Sequence, residues 1–322
     1  MAGAPLEVRG LAKHYGELVA VDGVDLTVDE GDVYGYLGPN GAGKTTSLRM
    51  MLGLIRPTAG TVRLFGRDPQ AGVSALEGVA GFVEEPRFYP YLTGRRNLEL
   101  LAAFDGGGAA GRIDEVLEVV ELADRAKDKV RGYSHGMRQR LGIAAALLRA
   151  PRLLLLDEPT TGLDPAGMRD MRALVRRLAD SGMTVVLSSH LLGEVEEVCD
   201  RVAIIRSGSV VYEGAIAELK RTGVGGYRVR TTDDQRALQV CAAQPGVSDA
   251  RATTGGVRFT AAEQVVAQLS VALVEAGLAL VELVPEAASL EELFFRLTEG
   301  ADGAATGDGS PAPSAAAVGE AR

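Results

Sequence analysis

A glycine-rich run followed by lysine and threonine has the residue types and spacing needed to bind phosphate. It fits the pattern G-x-x-x-x-G-K-[ST] and consists of Gly38, Pro39, Asn40, Gly41, Ala42, Gly43, Lys44, Thr45 and Thr46. The glycines let backbone N–H groups face one point, and the start of a following helix favours an anion there. Lys44 would reach the terminal phosphates of a nucleotide, and the Thr45 hydroxyl would ligate Mg²⁺. The alternative is a glycine-rich turn that matches the pattern by chance.

Two carboxylates at the end of an apolar run form a second candidate site. Asp157 and Glu158 directly follow Leu153–Leu156. Such a run fits a buried parallel strand, and parallel sheets carry their sites at the carboxyl ends of strands. We predict Asp157 in a Mg²⁺ shell, directly or through water, and Glu158 as the group that takes a proton from water. The alternative is a solvated strand end without a chemical role.

Three further residues are candidates for nucleotide contacts. His190 ends the apolar run 183–189, where its imidazole could contact a γ-phosphate, although a lone histidine is usually structural. Ser134 is a good N-cap for a helix whose free N–H groups could meet an anion. Tyr15, predicted on a loop ahead of the glycine-rich run, could stack on a base or simply pack.

Alternating strand and helix patterns must position these residues. Residues 33–37 predict the strand before the glycine-rich run, and residues 47–52 predict the helix after it. The other predicted elements are antiparallel strands at 6–9 and 24–28, a turn and strand over 57–66, a strand ending in acidic residues at 81–86, helical segments over 97–123 broken at Gly106–Gly108, a helix over 166–179 and a hairpin around Ser207–Gly208. The aromatic run Arg87–Leu92 predicts a docking surface, with packing on its own domain as the alternative.

The C-terminal third follows a different pattern. Its strand–helix–strand–strand–helix–strand order over 226–284 predicts a ferredoxin-like unit. A closing helix is predicted at Ser289–Leu297, and residues 301–322 should be disordered because alanine, glycine, serine and proline leave little to bury. No chemical cluster appears in this unit, so we favour a role in dimer packing or stability over a regulatory ligand site.

Composition limits the function classes that remain. The 322 residues carry a net charge of −9, which argues against a duplex-binding surface. Cys199 and Cys241 are too few for a disulfide scaffold and predict buried small residues in a reducing cytoplasm. The most apolar long stretch, 265–284, is interrupted by polar residues, so no membrane span and no secretory signal are predicted. An anchor at a membrane would have to come from a partner.

Taken in chain order, these motifs resemble those of the ATP-binding subunit of an ABC transporter, over about residues 6–220. Tyr15 matches the adenine-stacking aromatic, and Gly38–Thr46 matches the Walker A loop. Ser134–Gln139 matches the signature sequence peculiar to ABC ATPases, and Leu153–Asp157 with Glu158 matches Walker B and its catalytic glutamate. The D-loop falls on Leu163–Asp164 and the switch histidine on His190.

The resemblance implies an α/β fold of the P-loop NTPase class, an ABC cassette at residues 1–220. Its RecA-like core would carry an antiparallel β layer and a helical subdomain at about 86–148. A small α+β accessory domain would follow at 221–300, and the tail at 301–322.

Two departures from the family pattern stand out. The family's Q-loop glutamine falls on Glu85, which offers an oxygen to Mg²⁺ or water but donates no hydrogen bond unless protonated. His135 follows the signature serine in place of a small residue, and Met137 replaces glutamine. Backbone contacts survive such changes. These variants and the C-terminal unit resemble the branch of ABC-2-type exporters that gives self-resistance to antibiotics such as daunorubicin.

What the resemblance implies is a head-to-tail pair of cassettes that sandwich two ATP. The Walker A loop of one chain would face Ser134, His135 and Gly136 of the other, with Asp164 nearby. The cofactors would be ATP and Mg²⁺, and the partners a second cassette and a separate integral membrane permease. The chain itself would lie at the cytoplasmic face of the cell membrane. No nucleic-acid partner is expected. The alternatives are an import ATPase and a soluble ABC ATPase that acts on nucleic acid or the ribosome.

Overall fold

A computed structural model describes residues 3–104, 108–222 and 226–286. The strands are β1 (Leu6–Tyr15), β2 (Leu18–Val28), β3 (Val33–Leu37), β4 (Ala59–Leu64), β5 (Val79–Phe82), β6 (Leu153–Leu156), β7 (Thr184–Ser189), β8 (Arg201–Arg206), β9 (Ser209–Ala215), β10 (Gly226–Thr231), β11 (Val247–Thr253), β12 (Gly256–Ala261) and β13 (Leu280–Glu286). The α-helices are α1 (Lys44–Met51), α2 (Gly94–Phe104), α3 (Ile113–Val119), α4 (His135–Leu147), α5 (Pro165–Asp180), α6 (Leu192–Val198), α7 (Ile216–Thr222), α8 (Asp234–Ala243) and α9 (Glu263–Glu275).

A six-stranded sheet with the order β5-β6-β7-β3-β8-β9 forms the centre of the nucleotide-binding part. Its pairs are parallel except for the antiparallel β8–β9 hairpin. All four leucines of β6 are buried, because cores pack on both faces of a parallel sheet. Leu154 and Leu156 face one core, and Leu153 and Leu155 face the other. Burying each leucine contributes about 1.5–3 kcal/mol.

The sheet order places three candidate segments side by side. The strands β6, β7 and β3 are neighbours, and their carboxyl ends lead into Asp157, His190 and the glycine-rich run respectively. The predicted strand, loop and helix around that run are confirmed as β3 and α1. Because these strands are parallel, groups that follow them must meet at one edge.

An antiparallel layer with the order β2-β1-β4 packs through its apolar residues against α1 and one face of the central sheet. Here the prediction for Tyr15 is wrong in one respect. The residue lies at the end of β1 and pairs with Leu18 of β2, so it belongs to a hairpin rather than to a loop. Both strands are longer than predicted because the pairing continues through several bulges.

The helical segment between β5 and β6 contains α2, α3 and α4. A 3₁₀ turn at Gly108–Arg112 precedes α3, while residues 106 and 107 of the predicted break lie outside the described residues. Ile113, Val116, Leu117 and Val120 are buried, as their helical spacing predicted.

Residues 226–286 form a separate four-stranded antiparallel sheet with the order β11-β12-β10-β13. The order of its elements is the predicted one, and α8 and α9 pack against it around Val229, Phe259 and Leu273. The predicted closing helix at Ser289–Leu297 and the tail from residue 301 lie outside the described residues. The predicted domain boundary at residue 220 falls within α7.

Candidate functional site

The glycine-rich loop between β3 and α1 is held in a shape that only glycine permits at two positions. A Cβ atom on Gly38 would lie 2.4 Å from the carbonyl oxygen of Ile205. A Cβ atom on Gly43 would lie 2.4 Å from the carbonyl oxygen of Ala20, and Gly43 also has a left-handed φ of 101°. Gly43 is the N-cap of α1, so unpaired N–H groups of the first helical turn point into the loop. This geometry suits an anion such as phosphate.

Lys44 is a buried cation at the centre of this loop. Its Nζ donates hydrogen bonds to the carbonyl oxygens of Gly38 at 2.8 Å and Pro39 at 3.1 Å. Nζ also lies 3.2 Å from Glu158 Oε1. Burying an ammonium group is costly unless it has such partners. A phosphate entering the loop would meet this ammonium directly.

Asp157 and Thr45 lie together at the edge of the loop. The Thr45 hydroxyl donates to Asp157 Oδ2 at 2.9 Å, and the Ser188 hydroxyl donates to Oδ1 at 2.6 Å. These hydroxyl and carboxylate oxygens are the hard ligands that Mg²⁺ prefers. In the described ranges no three His, Cys, Asp or Glu side chains cluster to hold a metal ion by themselves. The donor set therefore fits an ion that takes its other ligands from water and nucleotide phosphates.

Glu158 makes contacts with both neighbouring candidate residues. Its Oε2 accepts a hydrogen bond from the Thr161 hydroxyl at 2.8 Å and lies 3.1 Å from His190 Nδ1. Burial alone would raise the pKa of this carboxyl group. The Thr161 hydrogen bond, the Lys44 ammonium and the His190 imidazole outweigh burial and hold the pKa of Glu158 below its ordinary value. Glu158 is therefore a carboxylate at neutral pH, the form that accepts a proton.

A second group of predicted residues surrounds the start of α4. Ser134 is the N-cap, and its hydroxyl oxygen accepts a hydrogen bond from the Met137 N–H at 3.2 Å. Asp164 likewise caps α5 by accepting from the Gly167 N–H. Ser134, His135, Gly136 and Asp164 all line a surface depression of about 530 Å³. The structure thus brings these four residues together around one depression.

His135 connects this second group to the first. Its Nε2 lies 2.9 Å from the carbonyl oxygen of Thr161, the residue whose hydroxyl bonds Glu158. Its Nδ1 lies 3.3 Å from Glu85. The imidazole ring packs closely against Gly162, where a Cβ atom would lie only 3.3 Å from His135 Nε2. The side chain of His135 is therefore engaged within its own chain.

The structure places Glu85 beside α4, and its predicted contact with Mg²⁺ or water stays a prediction. Its exposed carboxylate contacts His135 and Arg138 on the α4 side, both at 3.3 Å, and not Thr45 or Asp157. The preceding residue, Glu84, pairs with Arg49 of α1. Glu84 has a left-handed φ of 69°, which turns the two consecutive carboxylates in different directions. Of the two, Glu84 is the one tied to the helix of the phosphate loop.

Tyr15 remains available at the surface although it belongs to a strand. Its side chain is 48% exposed, and Lys13 Nζ lies 5.0 Å from the centre of its ring. One ring face therefore contacts a cation, which is a favourable arrangement for an aromatic ring. The exposed remainder of the ring is the part that could stack on a base.

An apolar groove of about 450 Å³ lies between β5 and the helices α2 and α4. Phe82, Pro86 and Phe88 line it, so part of the predicted aromatic run packs on its own domain. Tyr89 and Tyr91 are exposed instead, with their ring centres 5.8 Å apart. We name the groove and these two tyrosines the aromatic surface. No helix among the described residues is long and apolar enough to cross a membrane.

Three residues contribute to the site although their sequence context did not predict a role for them. Thr161 and Ser188 bond the two predicted carboxylates, and Ser189 precedes His190 at the end of β7. One available signal was the pair of serines that ends an otherwise apolar strand, because buried hydroxyls need partners. Thr161 gave no comparable signal.

Comparisons with known proteins agree with this geometry. A family model for ABC transporters matches residues 21–161. The bacitracin transport ATP-binding protein of Enterococcus faecalis is 37% identical over 297 residues, which cover 92% of this chain and 96% of that protein. The daunorubicin resistance ATP-binding protein DrrA3 of Streptomyces coeruleorubidus is 39% identical over 311 residues, which cover 92% and 97%.

Solved structures extend the likeness to the fold. One is the dimeric structure of a post-hydrolysis state of the ATP-binding cassette MJ0796 bound to ADP and Pi. It is 27% identical to this chain, with a TM-score of 0.58, and the match covers 66% of this chain and 98% of that one. A likeness of this extent shows that this chain and that cassette share a fold, which includes the phosphate loop and the central sheet.

Proposed function

The chain belongs to the ATP-binding proteins of ABC transporters, and from this premise we propose that it powers an exporter as one of two identical ATP-hydrolysing subunits. The observation that carries the proposal is the contact of Lys44, Glu158 and His190 at the carboxyl ends of three adjacent strands. A buried cation, a carboxylate and an imidazole within hydrogen-bond reach are the groups that hydrolysis of the phosphoanhydride bond to the γ-phosphate of ATP needs.

In the proposed mechanism each of these residues has a separate task. Lys44 and the N–H groups of α1 bind the β- and γ-phosphates. Thr45 and Asp157 would hold Mg²⁺, which supplies positive charge to the phosphates when bound. Arriving phosphates compete with Glu158 for the Lys44 ammonium, so the carboxylate becomes free to orient a water molecule and take its proton. His190, held by Glu158, steadies the γ-phosphate.

A second chain would complete each site. Within one chain, the Ser134 and Asp164 side chains accept hydrogen bonds from the first turns of α4 and α5. Lys44 and Glu158 contact each other at the phosphate loop. The depression lined by Ser134, Gly136 and Asp164 would receive the γ-phosphate side of a nucleotide bound to the partner. A head-to-tail pair related by a two-fold axis buries two ATP in this way. Tyr15 would stack on the adenine.

The partner that moves the substrate would be a separate membrane permease. The aromatic surface supports this proposal, because aromatic residues and arginine are enriched at protein interfaces and Arg87 lies on the same rim. The chain would then lie at the cytoplasmic face of the cell membrane and dock through this surface. Glu85 and its contacts with His135 and Arg138 adjoin the aromatic surface, so an opening of the ATP sandwich could reach the permease there.

Export of a drug, an antibiotic or a lipid-like molecule is the transport direction we propose. The relatives named for bacitracin transport and daunorubicin resistance support it. We further propose the division into an ABC domain at 1–220 and an accessory domain at 221–300 for dimer packing or stability.

The partner proposal is tested by purifying the chain from detergent-solubilised membranes of its native host. A polytopic membrane protein should copurify, and the double variant Tyr89→Ala/Tyr91→Ala should lose it while keeping ATP hydrolysis. Copurification of RNA or DNA in place of a membrane protein would contradict the proposal.

A further inference from the structure

Glu194 is a buried carboxylate that the proposed mechanism does not use. It lies in the first turn of α6, and only 5% of its surface is exposed. A carboxylate in such a position is costly unless hydrogen bonds compensate for its lost hydration. The hydrogen-bond partners of Glu194 should therefore indicate its role.

Those partners lie on the two segments that carry Glu158 and His190. Glu194 Oε2 accepts a hydrogen bond from the Thr160 hydroxyl at 2.7 Å and another from the Ser189 hydroxyl at 2.8 Å. Thr160 comes two residues after Glu158, and Ser189 immediately precedes His190. One carboxylate oxygen thus joins two loops that are far apart in the sequence.

The Glu158 loop needs such support because its backbone is strained. Glu158 has a φ of 45°, in the left-handed region that is unfavourable for residues other than glycine. The following turn is closed by hydrogen bonds from Thr161 N–H to Glu158 and from Leu163 N–H to Thr160. Fixing the Thr160 side chain therefore fixes the turn that holds Glu158 in its unusual conformation.

The His190 loop is anchored at the same carboxylate. The Ser189 hydroxyl oxygen accepts a hydrogen bond from the Leu191 N–H at 2.9 Å while its proton bonds Glu194. The residues on both sides of His190 are thereby tied to one point. The separation of 3.1 Å between Glu158 Oε2 and His190 Nδ1 follows from how these two loops are held.

We propose that Glu194 is a positioning residue that sets the Glu158–His190 geometry by binding Thr160 and Ser189 together. This inference rests on the roles of Glu158 and His190 in the proposed function. The positioning role of Glu194 requires a hydrogen-bond acceptor at the Oε2 position, and it does not require a negative charge. The second oxygen, Oε1, has no hydrogen-bond partner among the described residues, so neither contact depends on it.

The requirement for an acceptor gives a matched pair of variants. Glu194→Gln keeps an amide oxygen with two lone pairs that can accept both hydroxyl bonds. Glu194→Leu has a similar volume and no acceptor. The control is Glu197→Gln on the exposed side of the same helix, where Glu197 pairs with Arg172 at the surface.

The test measures kcat and KM for ATP by phosphate release, and ATP affinity by equilibrium binding. We expect Glu194→Leu to lower kcat by about tenfold or more, because misplacing a catalytic group by about 1 Å costs up to about 10²-fold. Its KM and ATP affinity should stay within about twofold, since the phosphate loop is untouched. Glu194→Gln should keep kcat within about threefold of the wild type, because its oxygen can accept both bonds. Glu197→Gln should be unchanged.

Removing the donors tests the same idea from the other side. Thr160→Val and Ser189→Ala should each lower kcat, and neither should lower it further in the Glu194→Leu background. If Glu194→Leu does not fold, the double variant Thr160→Val/Ser189→Ala replaces it and should show the same loss of kcat at constant KM.

Three results would overturn the inference. The first is a wild-type kcat in folded Glu194→Leu, or in the double variant that replaces it. The second is an equal loss in the glutamine and leucine variants. The third is an additive effect of Thr160→Val. Glu158→Gln in the same assay separates this outcome from a failure of the proposed function, because it tests the role of Glu158 without changing Glu194.

Discussion

Replacing Glu158 by glutamine tests the chemistry assigned to the site most sharply. The variant keeps the volume and an oxygen for the Thr161 hydroxyl, but it removes the carboxylate that contacts Lys44 at 3.2 Å and His190 at 3.1 Å. Loss of a general base typically costs about 10²–10⁴-fold in rate. At about 1.36 kcal/mol for each factor of ten, the barrier should rise by about 2.7–5.4 kcal/mol.

The same substitution should not weaken ATP binding. In the free protein the Lys44 ammonium is held by Glu158, and a phosphate must compete with that carboxylate. Glutamine removes the competing charge, so ATP should bind up to about tenfold more tightly, about 1.4 kcal/mol. Steady-state phosphate release measures the first effect, and equilibrium binding of ATP measures the second.

A matched control is Glu118→Gln, which removes one negative charge from the exposed face of α3. It should hydrolyse ATP at the wild-type rate. The reasoning is refuted if Glu158→Gln hydrolyses ATP at a near-wild-type rate, or if it loses ATP binding together with hydrolysis.

Four further results are expected. Gly43→Ala should lose ATP binding by about 10²-fold or more in equilibrium titrations, because a Cβ would collide with the carbonyl oxygen of Ala20 and φ is 101°. Folded Gly43→Ala with wild-type affinity would contradict this. His135→Ala should lower the free energy of unfolding by about 1 kcal/mol in a denaturant titration, the value of one hydrogen bond to the Thr161 carbonyl. Leu155→Ala should cost about 2–5 kcal/mol of unfolding free energy in a denaturant titration, since Leu155 is fully buried. The Arg140 hydrogen bond holds the pKa of Glu121 below its ordinary value of 4.5, so the stability from this pair is present above that pH and is lost as the pH falls further. Arg140→Met should therefore flatten the fall of the melting temperature between about pH 5 and pH 3.

Local motifs made the phosphate loop, the α4 cap and the β6 carboxylates predictable from sequence. Each is a short run whose residue types are dictated by one physical need, such as a glycine where a Cβ would clash at Gly38 or an N-cap at Ser134. Apolar periodicity, which is also a local property of the sequence, predicts the strand before the loop and the helix after it. A parallel sheet then brings such segments to one edge, which sequence alone also indicates.

What sequence could not supply depends on backbone conformation and long-range partners. Nothing in two adjacent glutamates tells which one faces the phosphate loop, because the left-handed turn at Glu84 decides it. The sequence pattern predicts a loop at Tyr15, because the bulged pairing that extends β1 produces no regular alternation of apolar and polar residues. The Thr160–Glu194–Ser189 connection joins residues 34 and 5 positions apart and carries no local signal.

The central claim, that two chains share each ATP site, is tested most directly by mixing two inactive variants. Lys44→Ala removes the cation of the phosphate loop. Gly136→Asp places a carboxylate at the start of α4, where a Cβ meets only Leu163 at an ordinary 3.5 Å, so the fold should tolerate it.

In a head-to-tail pair, a mixed dimer contains one site with an intact loop from one chain and an intact α4 start from the other. Half of the dimers in an equal mixture are mixed, so phosphate release should recover to about a quarter of the wild-type rate. No recovery in a mixture shown to contain mixed dimers, or full activity of either variant alone, would contradict the shared site.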